Sequence, residues 1–166
     1  DPDEVARLAD HMLVMDSGGV SAAGEVTEMM TRLDQPLART DSAAAILEGT
    51  VDAHEDTYHL SWVGTQGGRI AVPRLSIPVG NHVRLRIQAR DVSIALSPHH
   101  DTSILNLLPV CIVDTLDINE ASMIARLEMQ GGQTLLARLT RRSAAALGLR
   151  EGMGVYAQVK SVALVG

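Results

Sequence analysis

The feature that most constrains this chain is an internal repeat of short alternating segments. Gln66-Gly67-Gly68 recurs as Gln130-Gly131-Gly132, Val79-Gly80 as Glu151-Gly152, and Val83, Leu85 and Ile87 as Val155, Ala157 and Val159. With a small gap, Arg90-Asp91-Val92 falls on Lys160-Ser161-Val162. The runs between the turns are 46–53, 57–63, 69–74, 82–88 and 91–96, then 107–115, 122–130, 133–139 and 154–165. Short alternating runs punctuated by turns predict a small all-β barrel or sandwich, and the repeat predicts two of them. Each half is expected to form a five-stranded lobe of about 50–60 residues, the scale of an OB-type barrel.

Local patterns support this reading. In 122–130, Met123, Ala125, Leu127 and Met129 alternate with Ile124, Arg126, Glu128 and Gln130, which gives a strand with one mainly apolar face. Thr140 caps a short helix through Ala144, Ala145 and Leu147, and Gly148 ends it.

The first 40 residues differ in texture. Asp1-Pro2-Asp3-Glu4 reads as a helix start, with Asp1 as N-cap, Pro2 at the first helical position and Glu4 at the capping-box position. Val5, Leu8, Ala9 and Met12 follow at helical spacing, then a short strand at Leu13-Val14-Met15, a turn at Ser17-Gly18-Gly19, and a second helix marked by Val26, Met29, Met30 and Leu33. Two helices and a strand cannot hold a core alone, so these residues must pack on other sequence.

Composition removes several function classes. The chain has 14 basic and 20 acidic side chains among 166 residues, a net charge of -6, and only Trp62, Tyr58 and Tyr156 as aromatics. A clustered basic face for phosphates and a stacking platform for bases are both missing, so no nucleic-acid partner is expected. No apolar run approaches the roughly 20 residues of a membrane span. The single cysteine, Cys111, forms no internal disulfide and is expected as a buried apolar side chain. His99-His100-Asp101 lacks an evident fourth ligand for a metal, and no metal site is predicted.

Three stretches carry a family resemblance: Thr102-Ser103-Ile104-Leu105-Asn106, Ala137-Arg138-Leu139-Thr140-Arg141-Arg142-Ser143, and Val155-Tyr156-Ala157-Gln158-Val159-Lys160-Ser161-Val162-Ala163-Leu164. They resemble the transport-associated OB (TOBE, or mop) region of the ATP-binding subunits of molybdate and tungstate ABC importers. Residues 1–30 resemble the segment that follows the switch histidine in ABC ATPases. The resemblance implies a mainly β fold of two OB-like lobes after a short helical remnant of an ATPase domain, with divisions at 1–40, 41–98 and 99–166. It also implies a regulatory and dimerising role, a cytoplasmic site at the inner membrane face beside permease subunits, and molybdate or tungstate as ligand. ATP and magnesium belong to the parent protein only, because the sequence contains no G-x-x-x-x-G-K-[ST] phosphate loop and no signature loop. The chain itself is therefore expected to be no enzyme.

Within the family, the oxyanion is held at an interface by backbone amides and small hydroxyls, and the resemblance places that role on Thr102, Ser103, Lys160 and Ser161. A tetrahedral dianion needs several convergent N–H and O–H donors and about one compensating positive charge. Lys160 is the single lysine among the 14 basic residues. Leu105 stands where the family often has arginine, one donor fewer, and Asp91 is the first-lobe equivalent of Ser161, a carboxylate that would repel an oxyanion, so any site belongs with the second lobe. Without the resemblance, Lys160 and Ser161 read as a solvated strand face, and Thr102 and Ser103 as a hydroxyl turn. The alternative function is a structural TOBE module, binding no ion, of a sugar, polyamine or metal-ion importer.

Overall fold

The computed structural model describes residues 1–165. The chain begins with helix α1 (Pro2–Leu8), whose Asp1 side chain accepts from the Asp3 N–H at 3.0 Å. Strands β1 (His11–Asp16) and β2 (Gly19–Glu25) follow as a hairpin, then a single helical turn, α2 (Val26–Met29). Here three expectations change. Helix α1 ends at Leu8, so Ala9 lies beyond it and Met12 falls in β1. The segment 19–25 is a strand, because Ser17 and Gly18 both take positive φ, 51° and 82°, and turn the chain back onto β1. The second helix stops at Met29, four residues before the predicted Leu33.

The remaining strands are β3 (Ala44–Glu55), β4 (Leu60–Thr65), β5 (Gly68–Pro73), β6 (His82–Gln88), β7 (Val92–Ala95), β8 (Asn106–Asp117), β9 (Ser122–Met129), β10 (Thr134–Thr140), β11 (Gly154–Val159) and β12 (Ala163–Val165). Helix α3 (Arg141–Leu147) sits between β10 and β11; Thr140 Oγ1 accepts from Ser143 N–H, and Gly148 ends the helix at φ 63°. The expected single run 154–165 divides at Lys160-Ser161-Val162.

Two antiparallel sheets of five strands result, in the orders β12-β6-β3-β4-β5 and β7-β11-β8-β9-β10. The orders are the same under the repeat, with one exchange: β7 pairs with β11 in the second sheet, and β12 pairs with β6 in the first. Each sheet thus borrows its fifth strand from the other half, where sequence reasoning expects self-contained lobes. The 12-residue strands β3 and β8 each carry a register shift, between Val51 and Ala53 and between Ile112 and Asp114. Such bulges bend a strand and increase its twist, which lets β3 turn from β6 to β4 and β8 from β11 to β9.

One continuous core joins the sheets, with Leu47, Ile70, Leu85 and Ile87 of the first packed with Leu108, Ile112, Leu127 and Leu135 of the second. Two side-chain amides tie the halves. Asn106 accepts from Ala71 N–H at 2.7 Å and donates to Ala71 O at 2.9 Å, while Gln133 accepts from Glu48 N–H at 2.7 Å and donates to Glu48 O at 3.1 Å. The repeated glycine turns also meet: a Cβ on Gly67 would stand 2.7 Å from Met129 Cβ, and one on Gly131 2.5 Å from Gln66 Cβ. Close approach of the two turns explains why the middle residue of both copies is glycine. Cys111 is half-buried and not a core residue as expected, since it lies on the strand face opposite Val110 and Ile112.

The amino-terminal unit packs on the outer face of the first sheet. Met12, Val26, Met29 and Met30 cluster with Ala44 and Ile46 of β3, so the unit finds its core on the β region. Arg84 of β6 secures it, donating to Ala9 O at 2.8 Å and to Asp10 at 2.6 Å; the Asp10 hydrogen bond holds the guanidinium pKa above its usual value.

Candidate functional site

A cleft of about 410 Å³ opens where β5, the start of β8 and the end of β11 converge. Its walls are Leu60, Ala71, Val72 and Pro73 on one side, and Ser103, Ile104, Leu105, Asn106 and Val159 through Val162 on the other. Three of the four residues singled out in the sequence, Ser103, Lys160 and Ser161, meet here, and all three are exposed. Thr102 lies just outside the lining, and its Oγ1 accepts from Ile104 N–H at 3.3 Å. That is the hydroxyl turn which the sequence left open for this residue.

Local structure explains the convergence. The Lys160 N–H donates to Asp91 O at 2.9 Å, which pins the break between β11 and β12 against the segment leading into β7. Asn106, 6% exposed, spends its whole amide on the Ala71 backbone, so the start of β8 is latched onto β5. The cleft therefore spans both halves, although sequence reasoning assigns it to the second lobe alone. Asn106 escaped that reasoning as a site-building residue; the available signal was an amide standing at the head of an apolar strand.

Ion pairing distinguishes this cleft from its neighbours. All nine ion pairs among the described residues use arginine or the terminal amine as cation, and Lys160 takes part in none. Lys160, Ser103 and Ser161 line the cleft across from the mainly apolar wall of Leu60, Ala71, Val72 and Pro73. A larger groove of about 920 Å³ runs over Gly49, Gly64, Gly67, Gly68 and Gly131. Its arginine, Arg69, is already bound to Asp52 at 3.3 Å and stands 5.0 Å from the Trp62 ring, and Glu25 and Glu48 add negative charge. No group of three His, Cys, Asp or Glu side chains fit to hold a metal occurs among the described residues, the His99-His100-Asp101 segment included.

The repeat gives the cleft a counterpart, and that counterpart is filled. Ladder register makes Ile124 equivalent to Leu60, Leu136 to Ala71, and Ala43 to Ile104. Those same residues form a buried cluster with Leu33, Ala38 and Ala89. The segment joining the amino-terminal unit to β3 thus seals the first-repeat cleft with Leu33 and Ala38, and Arg138 binds Asp41 at 2.9 Å over it.

Residues 102–165 match the family described as TOBE domain. Over that stretch the chain is similar to a TOBE domain. Along 99% of its length it is 45% identical to the molybdenum import ATP-binding protein ModC of Hahella chejuensis, and to that of Albidiferax ferrireducens, covering 46% and 44% of those proteins. It is 43% identical to molybdenum import ATP-binding protein ModC 1 of Azotobacter vinelandii, over 46% of that protein. The chain thus spans a little under half the length of these curated relatives. Among solved structures, the cytoplasmic molybdate-binding protein ModG in a molybdate-bound form matches with a TM-score of 0.63, over 73% of this chain and 95% of that one. At 23% identity, that likeness establishes the mainly β, OB-like fold. No helix among the described residues is long and apolar enough to cross a membrane.

Proposed function

We propose that the chain is the oxyanion-sensing and dimerising region of the ATP-binding subunit of a molybdate or tungstate ABC importer. The observation that carries this reading is the meeting of Ser103, Lys160 and Ser161 in one cleft, with the ammonium outside every ion pair among the described residues. Relatives named for molybdenum import and a structural neighbour named for molybdate binding support the choice of ion. Lys160 supplies the compensating charge, while Ser103 and Ser161 donate hydroxyl hydrogens to the anion's oxygens. Thr102 holds the turn that presents Ser103 and becomes a ligand only if its hydroxyl turns away from Ile104 N–H.

The cleft is larger than a single tetrahedral anion and open to solvent, so a second copy of the chain completes it across a two-fold interface. In the parent protein the ATPase machinery binds ATP and magnesium, works at the cytoplasmic face against membrane permease subunits, and is biased by the ion. Such regulation requires the ion to favour one arrangement of the halves energetically.

Calorimetric titration of the chain with molybdate, tungstate and sulfate tests the proposal. Saturable binding of the two metal oxyanions, with sulfate weaker, is expected. Absence of binding by all three leaves the structural TOBE module, in an importer of another substrate, as the function.

A further inference from the structure

Strand exchange sets β12 between the candidate cleft and the amino-terminal unit. The strand starts at Ala163, directly beyond Lys160, Ser161 and Val162 of the cleft lining. Its register on β6 puts Ala163 opposite Arg86 and Val165 opposite Arg84. Residues directly opposite in an antiparallel pair project from the same face, here the outer face that carries residues 1–30. On that face Arg84 grips Ala9 O and Asp10, and Arg86 reaches Asp3 at 3.0 Å. Val165 itself packs against the cluster of Ala6, Met12, Val26, Met29 and Met30. A strand of three residues is therefore both the continuation of the cleft and one wall of the packing that holds the amino-terminal unit.

We propose that β12 is a strut that couples occupancy of the cleft to how firmly residues 2–29 are held on the first sheet. The ion as input rests on the function proposed above, whereas the mechanical link rests on register and packing alone. Ala163 and Leu164 are exposed and the strand lies at a sheet edge, the setting in which local opening costs least. β6 stays in place when β12 leaves, because it remains paired with β3 from Ala44 to Thr50. An anion gathered by Lys160 and Ser161 restricts the backbone of 160–162 and so favours the docked strand. By linkage, the docked amino-terminal unit then favours the bound ion by the same factor.

Peptide orientation selects the perturbation. Ala89 N–H donates to Ala43 O, and Val51 N–H to Asn81 O, so odd-numbered residues of β6 turn their peptides toward β3. Arg84 and Arg86 turn theirs toward β12, and Val165 supplies the N–H opposite Arg84. Val165→Pro removes that donor and the valine contact while leaving 160–162 intact; Val165→Ile keeps both.

Hydrogen exchange on the 166-residue chain reads the result. Without ion, Val165→Pro should speed exchange of β1 and β2 amides roughly tenfold and leave β8 and β9 unchanged. If Val165→Pro also disturbs β8 and β9, Val165→Ser, which keeps the backbone and loses the apolar contact, should show the same selective loosening. With molybdate, the unmodified chain and Val165→Ile should slow exchange in β1 and β2, while Val165→Pro should bind within about threefold of normal affinity and show no slowing there. Unchanged β1 and β2 exchange in both Val165→Pro and Val165→Ser overturns the strut. So does ion-induced slowing that persists in Val165→Pro. No molybdate effect at 102–106 or 160–162 in the unmodified chain removes the ion as input, and thereby the proposed sensing function, a result separate from the ion-free comparison.

Discussion

Replacing Asn106 by alanine tests whether the cleft is built by a buried latch or merely lies between two lobes. The Asn106 amide makes both of its bonds to one residue, at 2.7 and 2.9 Å to Ala71 N–H and O. The opposite amide orientation would set donor against donor and acceptor against acceptor, so the network fixes the assignment. Both residues are buried, Asn106 at 6% and Ala71 at 7% exposure, and water reaches the freed groups poorly. Two hydrogen bonds at about 1 kcal/mol each, plus partial desolvation of an orphaned N–H and C=O, predict a loss of about 2–4 kcal/mol. For a chain of this length that is a fall in melting temperature of roughly 5–15 °C. Asn106→Asp keeps the acceptor for Ala71 N–H but sets a carboxylate beside Ala71 O, so it should be no better than alanine. Equilibrium urea unfolding measures both variants. A change below about 1 kcal/mol for Asn106→Ala would refute the latch, since a lost pair of buried bonds cannot cost so little unless Ala71 finds new partners.

Other outcomes follow from the same geometry. Lys160→Ala, on an exposed residue, should weaken molybdate binding roughly tenfold to a hundredfold by calorimetry, the range of a lost charge-assisted bond, and leave the melting temperature nearly unchanged. Gly49→Ala should destabilise by about 1–3 kcal/mol in urea unfolding, because the new Cβ would stand 2.6 Å from Val63 Cγ1 and 2.7 Å from the Gly64 carbonyl oxygen. Titration should saturate at no more than one molybdate per chain, since Leu33 and Ala38 occupy the counterpart cleft; two per chain would contradict the seal. Light scattering at high micromolar concentration should give twice the 17.7 kDa of one chain, and a monomer with full affinity would remove the shared interface.

Much of the fold was legible because its signals are local. Alternation marked β9, Thr140 and Gly148 bracketed α3 to the residue, and the duplicated Gln-Gly-Gly turns announced two similar sheets. Strand exchange was not legible. Residues 92–95 and 163–165 are short edge strands of similar character, and which sheet accepts each depends on the path of the chain beyond β6 and β11. The strand at 19–25 was missed because Val-Ser-Ala-Ala-Gly has weak strand propensity and is held by its hairpin. In the cleft, sequence reasoning named three of the second-half lining residues but not the β5 wall, since nothing near Ala71 or Pro73 in the sequence hints at Lys160. The resemblance singled out those residues; the sequence pattern alone left them on a solvated face.

The most direct test of the account is the position of the ion. Crystals of the chain grown with tungstate should give an anomalous tungsten peak in the cleft of Ser103, Lys160 and Ser161, within hydrogen-bonding reach of the Lys160 ammonium. A bound tungstate in the glycine-lined groove near Arg69, with this cleft empty, would contradict the assignment.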